Sequence, residues 1–165
     1  MRAEAEVDAD QRTAWLTVTD YEHLPQFVPG VRSVRVLARS AAGGVERLLV
    51  EQAGEFRFLW FRQPVEVWLD VRHEVPTLVL ARAVLPSGIG AERSTVREFE
   101  GRYTLDVIDA GRTRFRYDAR FEPAQPLLPV LGDLAVRRTI HEQFAAMLAE
   151  IERRAARRNV EHAAR

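Results

Sequence analysis

The C-terminal part of the chain contains its longest segment with helical periodicity. After Pro129 there is no further proline, and apolar residues recur at spacings of three and four as far as about residue 158. At about 100° per residue, these positions fall on one broad face with Phe144 near its middle. The pattern predicts an amphipathic helix over residues 129–158 whose apolar face covers another layer of the fold. That face consists of Val130, Leu134, Ile140, Phe144, Met147, Leu148 and Ile151.

The residues from 31 to 121 alternate between apolar and polar positions, as β-strands do. A similar alternation at residues 2–7 predicts a first strand. Between these regions, Asp8 and Gln11 have the spacing of a capping box, which predicts one short helix to residue 18 and a second from residue 19. Pro29 and Gly30 end this helical region. The six later strands are predicted at residues 34–39, 45–62, 65–73, 77–85, 99–107 and 113–121.

The same alternation predicts which side chains face the interior. The last two strands are joined by a short turn and form a hairpin, and the arginines on its outer face are predicted to form exposed ion pairs with Glu100 and Asp106. Segment 77–85 is nearly all apolar, so the direction of Arg82 stays open. The outer arginines are Arg112, Arg114 and Arg116; the inward positions include Leu48, Val50, Phe56, Phe58, Trp60, Val65, Val67, Leu69, Val71, His73, Phe99, Tyr103, Leu105, Phe115, Tyr117 and Phe121.

These elements predict an α+β fold in a single domain over residues 1–158, followed by a frayed tail at 159–165. About seven antiparallel strands with one apolar face need a cover on that face, and the final helix is long enough to provide it. We expect the sheet to curl around the helix, with Gly54 marking a bend or bulge in one strand. Space should remain wherever the inner side chains stand off from the helix.

Three polar residues interrupt the apolar face of the final helix. Asp133, Arg137 and His141 follow one another at spacings of four, inside or at the edge of that face. One interpretation is a half-exposed row in which Asp133 and Arg137 form an ion pair. The other is that Arg137 and His141 project into a space between helix and sheet, where a buried guanidinium needs water or a polar ligand group.

Composition narrows the range of functions. The formal net charge is zero and the pI is about 6.9, which removes the electrostatic argument for nucleic-acid binding. The chain has no cysteine, so disulfides and thiol chemistry are excluded, and we predict a cytoplasmic protein. We expect neither a signal peptide nor a membrane span, because charged residues interrupt every apolar run.

Motifs of common enzyme chemistry do not occur in the sequence. The four histidines are widely separated, so no metal site is predicted. No glycine-rich phosphate loop and no nucleophile elbow around a serine is found. We therefore predict no metal and no cofactor.

Several segments resemble the polyketide cyclase/dehydrase and coenzyme Q-binding families of the START-like superfamily. The first is Ala14-Trp15 followed by residues 19–31, TDYEHLPQFVPGV. The second is the strand Phe99-Glu100-Gly101-Arg102-Tyr103, in which Tyr103 stands where many relatives carry tryptophan. Thr113-Arg-Phe-Arg-Tyr117 and the prolines before the final helix also match. This resemblance covers nearly the whole chain and implies a helix-grip fold like that of the birch-pollen allergen.

The resemblance further implies a cavity for a polyketide-, quinone- or lipid-like molecule between the sheet and the C-terminal helix. We interpret the chain as a non-catalytic binding protein, a monomer or homodimer with no indicated protein partner. His73, at a strand end beside Glu74 and Pro76, is expected at the surface. No catalytic residue can be assigned from the resemblance. The candidate ligand contacts are Phe56, Phe58, Trp60, Val67, Leu69, Phe99, Tyr103, Phe115, Tyr117, Arg137, His141, Phe144 and Leu148.

Two other functions stay open. The first is a polyketide aromatase/cyclase or dehydratase, in which His141 with Tyr103 or Tyr117 would transfer protons and Arg137 would stabilise an enolate oxygen. The second is an interaction module of the ribosome-association type, which would use the basic C-terminal end of the helix. The arginines of that end are Arg153, Arg154, Arg157 and Arg158.

Overall fold

Seven antiparallel strands form one curved sheet, and a long helix follows the last of them, as predicted. The computed structural model describes residues 1–58, 61–124 and 132–163. Among these, no helix is long and apolar enough to cross a membrane. Two short 3₁₀ segments occur at Tyr21–His23 and Ala91–Arg93. The other elements are β1 (Arg2–Val7), α1 (Gln11–Val18), α2 (Leu24–Phe27), β2 (Val31–Ala42), β3 (Val45–Phe58), β4 (Phe61–Glu74), β5 (Leu78–Val84), β6 (Val96–Asp109), β7 (Arg112–Pro123) and α3 (Gly132–Ala163).

The sheet order is β1-β7-β6-β5-β4-β3-β2, so every pair except β1 and β7 is a hairpin of consecutive strands. The apolar face of the sheet and the buried side of α3 enclose the core. Its most buried large side chains include Leu48, Leu105, Phe115 and Ile151, each at most 2% exposed. The predicted α+β helix-over-sheet architecture is therefore confirmed.

The predicted strand at 45–62 is wrong in its extent, because this segment contains the end of one strand and the start of the next. Phe58 of β3 lies opposite Phe61 of β4, and the connection at residues 59–60 lies outside the described residues. The run from Phe58 to Phe61 contains no glycine or proline to mark a turn, so periodicity alone continued through it.

The first helix begins later than the capping pattern predicted. Its N-cap is Asp10, not Asp8, since the Asp10 side chain accepts a hydrogen bond from the Thr13 backbone N–H at 2.9 Å. The second short helix is a 3₁₀ turn at Tyr21–His23 that leads into α2. Together these segments close one end of the space between sheet and α3.

The irregularity predicted at Gly54 lies in the neighbouring strand β2, where Arg32 is the extra residue, and β3 keeps a regular register with β4 through Gly54. The register between β2 and β3 shifts opposite this residue, and the Glu55 backbone N–H donates to the carbonyl oxygen of Gly30 at 2.8 Å. A Cβ atom on Gly54 would lie 2.1 Å from that oxygen, so the close approach of the two chains requires glycine.

The final helix extends beyond the predicted end at residue 158 and reaches Ala163. Phe144, Met147 and Ile151 of the predicted apolar face are buried, as is Ala155 one turn further on. Leu134 is an exception, because 58% of it is exposed. The buried stripe is therefore narrower than the sequence pattern indicated.

Candidate functional site

A cavity of about 210 Å³ lies between the inner face of the sheet and α3. Strands β3 to β7, the segment from Val18 to Leu24 and one side of α3 contribute to its wall. Most of the lining side chains are apolar, and the polar ones are few and come from separate elements. The polar lining residues are Tyr21, Gln52, Glu55, Tyr103, Tyr117, Thr139 and Gln143.

The structure brings six of the thirteen predicted contacts to the cavity wall. Phe115 and Phe144 lie beside the cavity in close-packed core, where their rings stack at 5.2 Å, and Leu148 packs partly buried against that core. Trp60 and the side chain of Phe58 lie outside the described part of the chain. The six lining residues are Phe56, Val67, Leu69, Phe99, Tyr103 and Tyr117.

Arg137 and His141 do not reach the cavity, and the hypothesis that they project into it is wrong. Both residues are exposed. On α3 the cavity is lined by Val136 and Ile140, among others, and each next residue points about 100° away from its neighbour. The cyclase alternative thereby loses the base and the oxyanion donor that it assigned to α3.

The other candidate cations also form contacts outside the cavity. Arg82 is exposed and pairs with Glu100 at 3.0 Å, so its side chain points outward. Arg116 pairs with Asp106 as predicted, whereas Arg114 pairs with Glu4 and Glu6 of β1, which lies beside β7 in the sheet. In the basic end of α3, Arg153 and Arg154 bind Glu150, Arg154 also binds Asp20, and Arg158 binds Asp10.

Two tyrosines form a polar cluster in the cavity wall. Tyr103 and Tyr117 lie opposite each other on β6 and β7, and their rings stack at 4.5 Å. Burial raises the pKa of Tyr103 to about 12 and raises the pKa of Tyr117 as well. Both hydroxyls are therefore protonated at neutral pH.

His73 is buried, which contradicts the expected surface position. It is 3% exposed and points inward from β4, as the alternation of that strand had indicated. Its Nδ1 atom lies 2.8 Å from Oε2 of Glu46, and its Nε2 atom lies 2.6 Å from the hydroxyl of Tyr21. The edge of its ring contacts Trp15 at a centroid distance of 5.4 Å. Since Tyr21 lines the cavity, this buried network reaches the site.

The buried histidine makes the stability of the protein dependent on pH. Desolvation lowers the pKa of His73 from its ordinary 6.5, and the hydrogen bond that His73 donates to Glu46 offsets this in part. Below pH 6.5 the unfolded chain thus binds more protons than the folded one, and the free energy of unfolding falls by at most about 1.4 kcal/mol per pH unit from this group. We expect urea titrations between pH 7 and pH 5 to show this decrease in the wild type.

The matched variant for that measurement is His73→Phe, which keeps an aromatic ring and removes the titrating group. The variant is expected to be less stable at pH 7, because Tyr21 and Glu46 lose a partner. Its remaining stability should change less between pH 7 and pH 6 than that of the wild type. An equal change in both proteins would contradict the assignment of this effect to His73.

The rim of the cavity lies between α3 and the start of β2. Gln143 of α3 donates a hydrogen bond to the carbonyl oxygen of Pro29 at 3.0 Å and so joins the two sides. Glu55 also lies there and is held by Arg32 and Arg57. Within the described ranges, no three histidine, aspartate or glutamate side chains converge as metal ligands do.

Comparison with solved structures supports this description of the fold. A START superfamily protein from Mycobacterium smegmatis is 18% identical, with a TM-score of 0.74 over 93% of this chain and 97% of that chain. The Zhui aromatase/cyclase from Streptomyces sp. R1128 is 17% identical, with a TM-score of 0.69 over 93% of each chain. A STAR-related lipid transfer protein fragment from Xanthomonas axonopodis is 17% identical, with a TM-score of 0.67 over 91% of this chain and 84% of that chain.

Sequence comparison identifies the family. A search of curated proteins found no match to this chain. The family model for polyketide cyclase/dehydrase and lipid transport, in contrast, matches residues 7–148, which run from the last residue of β1 through β7 and the first half of α3. The chain therefore belongs to the polyketide cyclase/dehydrase and lipid transport family.

Proposed function

We propose that this protein binds an apolar small molecule of polyketide-, quinone- or lipid-like character in the cavity under α3. The observation that carries the proposal is the cavity itself, with a wall of mainly apolar side chains and a few polar groups. This combination is typical of small-molecule sites, in which apolar contacts provide affinity and a few polar groups determine orientation.

The volume of the cavity limits the size of the ligand. About 210 Å³ is smaller than the roughly 300–1,000 Å³ of sites for drug-sized molecules. We therefore infer a compact ligand, or a longer one of which only a part is enclosed. The six lining residues predicted from the sequence, among them Phe99 and Tyr103, would contact the enclosed part.

The names of similar structures support the same class of ligand. One is a STAR-related lipid transfer protein and another an aromatase/cyclase, and both have this fold at low sequence identity. Binding without chemistry remains our proposal, because His141 and Arg137, the two residues that the cyclase alternative placed on α3, are exposed.

Ala81→Leu tests the proposed location of the ligand. Ala81 of β5 is 6% exposed and lines the cavity, so three added carbon atoms occupy ligand space. We expect native mass spectrometry of freshly purified wild type to show a bound small molecule, and Ala81→Leu to carry less of it. In equilibrium dialysis with 2-methylnaphthalene, the variant should bind at least several-fold more weakly.

The matched control is Ala42→Leu, the same substitution at an exposed position at the end of β2. It should bind as the wild type does. Wild-type protein that carries no adduct and does not bind 2-methylnaphthalene would contradict the proposed function. Equal weakening in both variants would place the ligand elsewhere.

A further inference from the structure

The hydrogen bonds around His73 determine the direction in which each proton is donated. A carboxylate can only accept, so Glu46 keeps a proton on Nδ1 of His73. A neutral imidazole then has an acceptor at Nε2, and the Tyr21 hydroxyl donates its proton to that atom. Arg39 lies 3.3 Å from the other oxygen of Glu46.

In this arrangement the Tyr21 hydroxyl can accept a hydrogen bond from a ligand but cannot donate one. Its proton is committed to His73, which is buried, so the hydroxyl oxygen can offer the cavity only a lone pair. The surrounding wall is mainly apolar, with Val71 and Val79 among the lining residues, and it also contains Tyr103, which lies opposite Val79. Tyr21 therefore adds a hydrogen-bond acceptor to a mainly apolar wall.

The other polar side chains of the cavity wall have different contacts from those of Tyr21. Tyr103 and Tyr117 lie opposite each other with their rings stacked, and Gln143 donates to the backbone of Pro29. Glu55 at the rim is held by two arginines. Among the polar lining side chains named here, only Tyr21 is held by a chain of two further side chains. His73 of β4 is buried and binds the Tyr21 hydroxyl, and Glu46 of β3 is half-buried and binds His73.

We propose that Tyr21, aligned by His73 and Glu46, recognises a hydroxyl group on the bound ligand. The ligand hydroxyl donates its proton to the Tyr21 oxygen, and the rest of the ligand occupies the apolar cavity. The ligand is then an apolar phenol or alcohol and not a pure hydrocarbon. This inference rests on the proposed function and adds the chemical class of the ligand.

The test compares 2-naphthol with 2-methylnaphthalene, which have nearly the same shape and differ in a hydroxyl against a methyl group. Equilibrium dialysis gives the dissociation constant of each probe for the wild type and for Tyr21→Phe. We expect the variant to bind 2-naphthol about 5- to 10-fold more weakly, as for the loss of one buried hydrogen bond. Its affinity for 2-methylnaphthalene should stay within about twofold, because the ring is retained.

Two variants of the same cavity serve as controls. Tyr117→Phe removes a hydroxyl that is not bonded to His73, and Gln52→Leu removes an amide from β3. Each should shift the affinities of both probes together and so retain their ratio. A ratio that is retained in Tyr21→Phe and lost in either control would overturn the inference.

If Tyr21→Phe does not fold, the proposed hydroxyl site is tested by comparing the two probes on the wild type alone. A hydroxyl that enters an apolar site without an acceptor loses its hydrogen bonds to water, and the probe then binds more weakly than its methyl analogue. We expect the wild type to bind 2-naphthol at least as tightly as 2-methylnaphthalene. Binding of 2-methylnaphthalene with tenfold weaker binding of 2-naphthol would refute the hydroxyl site and leave the proposed function intact. Binding of neither probe would refute both.

Discussion

Phe144→Ala is expected to reduce the free energy of unfolding by about 3–5 kcal/mol, the usual cost of deleting a large buried aromatic side chain. Phe144 is 7% exposed, and its ring stacks almost parallel to that of Phe115 at 5.2 Å. Phe144 is not among the residues that line the cavity. Its removal therefore leaves a new hole in packed core. Urea denaturation of the purified variant measures the loss.

His141→Ala provides the control on the same helix. This residue lies nearly one turn before Phe144 and is exposed, so its removal should change stability by less than about 0.5 kcal/mol. A loss below about 1 kcal/mol for Phe144→Ala would show that this ring borders open space and would contradict the packing described above.

Gly54→Ala is the second substitution with a large expected effect. The added Cβ atom would lie 2.1 Å from the backbone oxygen of Gly30, so β2 and β3 have to separate there. The hydrogen bond from the Glu55 backbone N–H to that oxygen is then weakened or lost. We expect a loss of about 2–4 kcal/mol from overpacking together with the broken hydrogen bond.

Gly111→Ala is the matched control for that substitution. The nearest atom to its added Cβ is a side-chain oxygen of Asp109 at 4.0 Å, an ordinary contact. Thermal unfolding should separate the two variants by several degrees. If Gly54→Ala were as stable as Gly111→Ala, the close approach between Gly30 and Gly54 would be wrong.

The periodic patterns predicted the fold well, because burial of one face is a local property of each segment. Alternation correctly placed Val67, Leu69 and Tyr103 on the inner face of the sheet. It also pointed His73 inward, and the surface position was inferred wrongly from the neighbouring Pro76. In this strand the periodicity was a better guide than the position near the strand end.

The same reasoning was less accurate on α3, where neighbouring residues differ in direction by about 100°. At about 100° per residue, Arg137 falls within about 20° of Phe144 and His141 within about 60°, so the pattern placed both on the apolar face. In the structure, Val136 and Ile140 face the cavity and the residues that follow them face solvent. The side of α3 that meets the cavity is therefore rotated from the side centred on Phe144, and this rotation misplaced both polar candidates.

The polar network of the site could not be predicted from spacing at all. Tyr21, His73 and Glu46 belong to three separate elements, and no local motif connects them. Their contacts depend on how the 3₁₀ turn packs against the inner face of the sheet. The volume of the cavity likewise depends on the distance between helix and sheet, which side-chain patterns do not encode.

The two halves of α3 differ in the burial and the ion pairs that hold them against the rest of the protein. From Phe144 onward the helix is buried in the core, and Arg154 and Arg158 tie it to Asp20 and Asp10. The turns before Phe144 lie over the cavity and have fewer buried side chains. Local opening of the first turns therefore costs less free energy than global unfolding. The amide protons of these first turns are then less protected from exchange with solvent than those of the strands and of the second half of the helix.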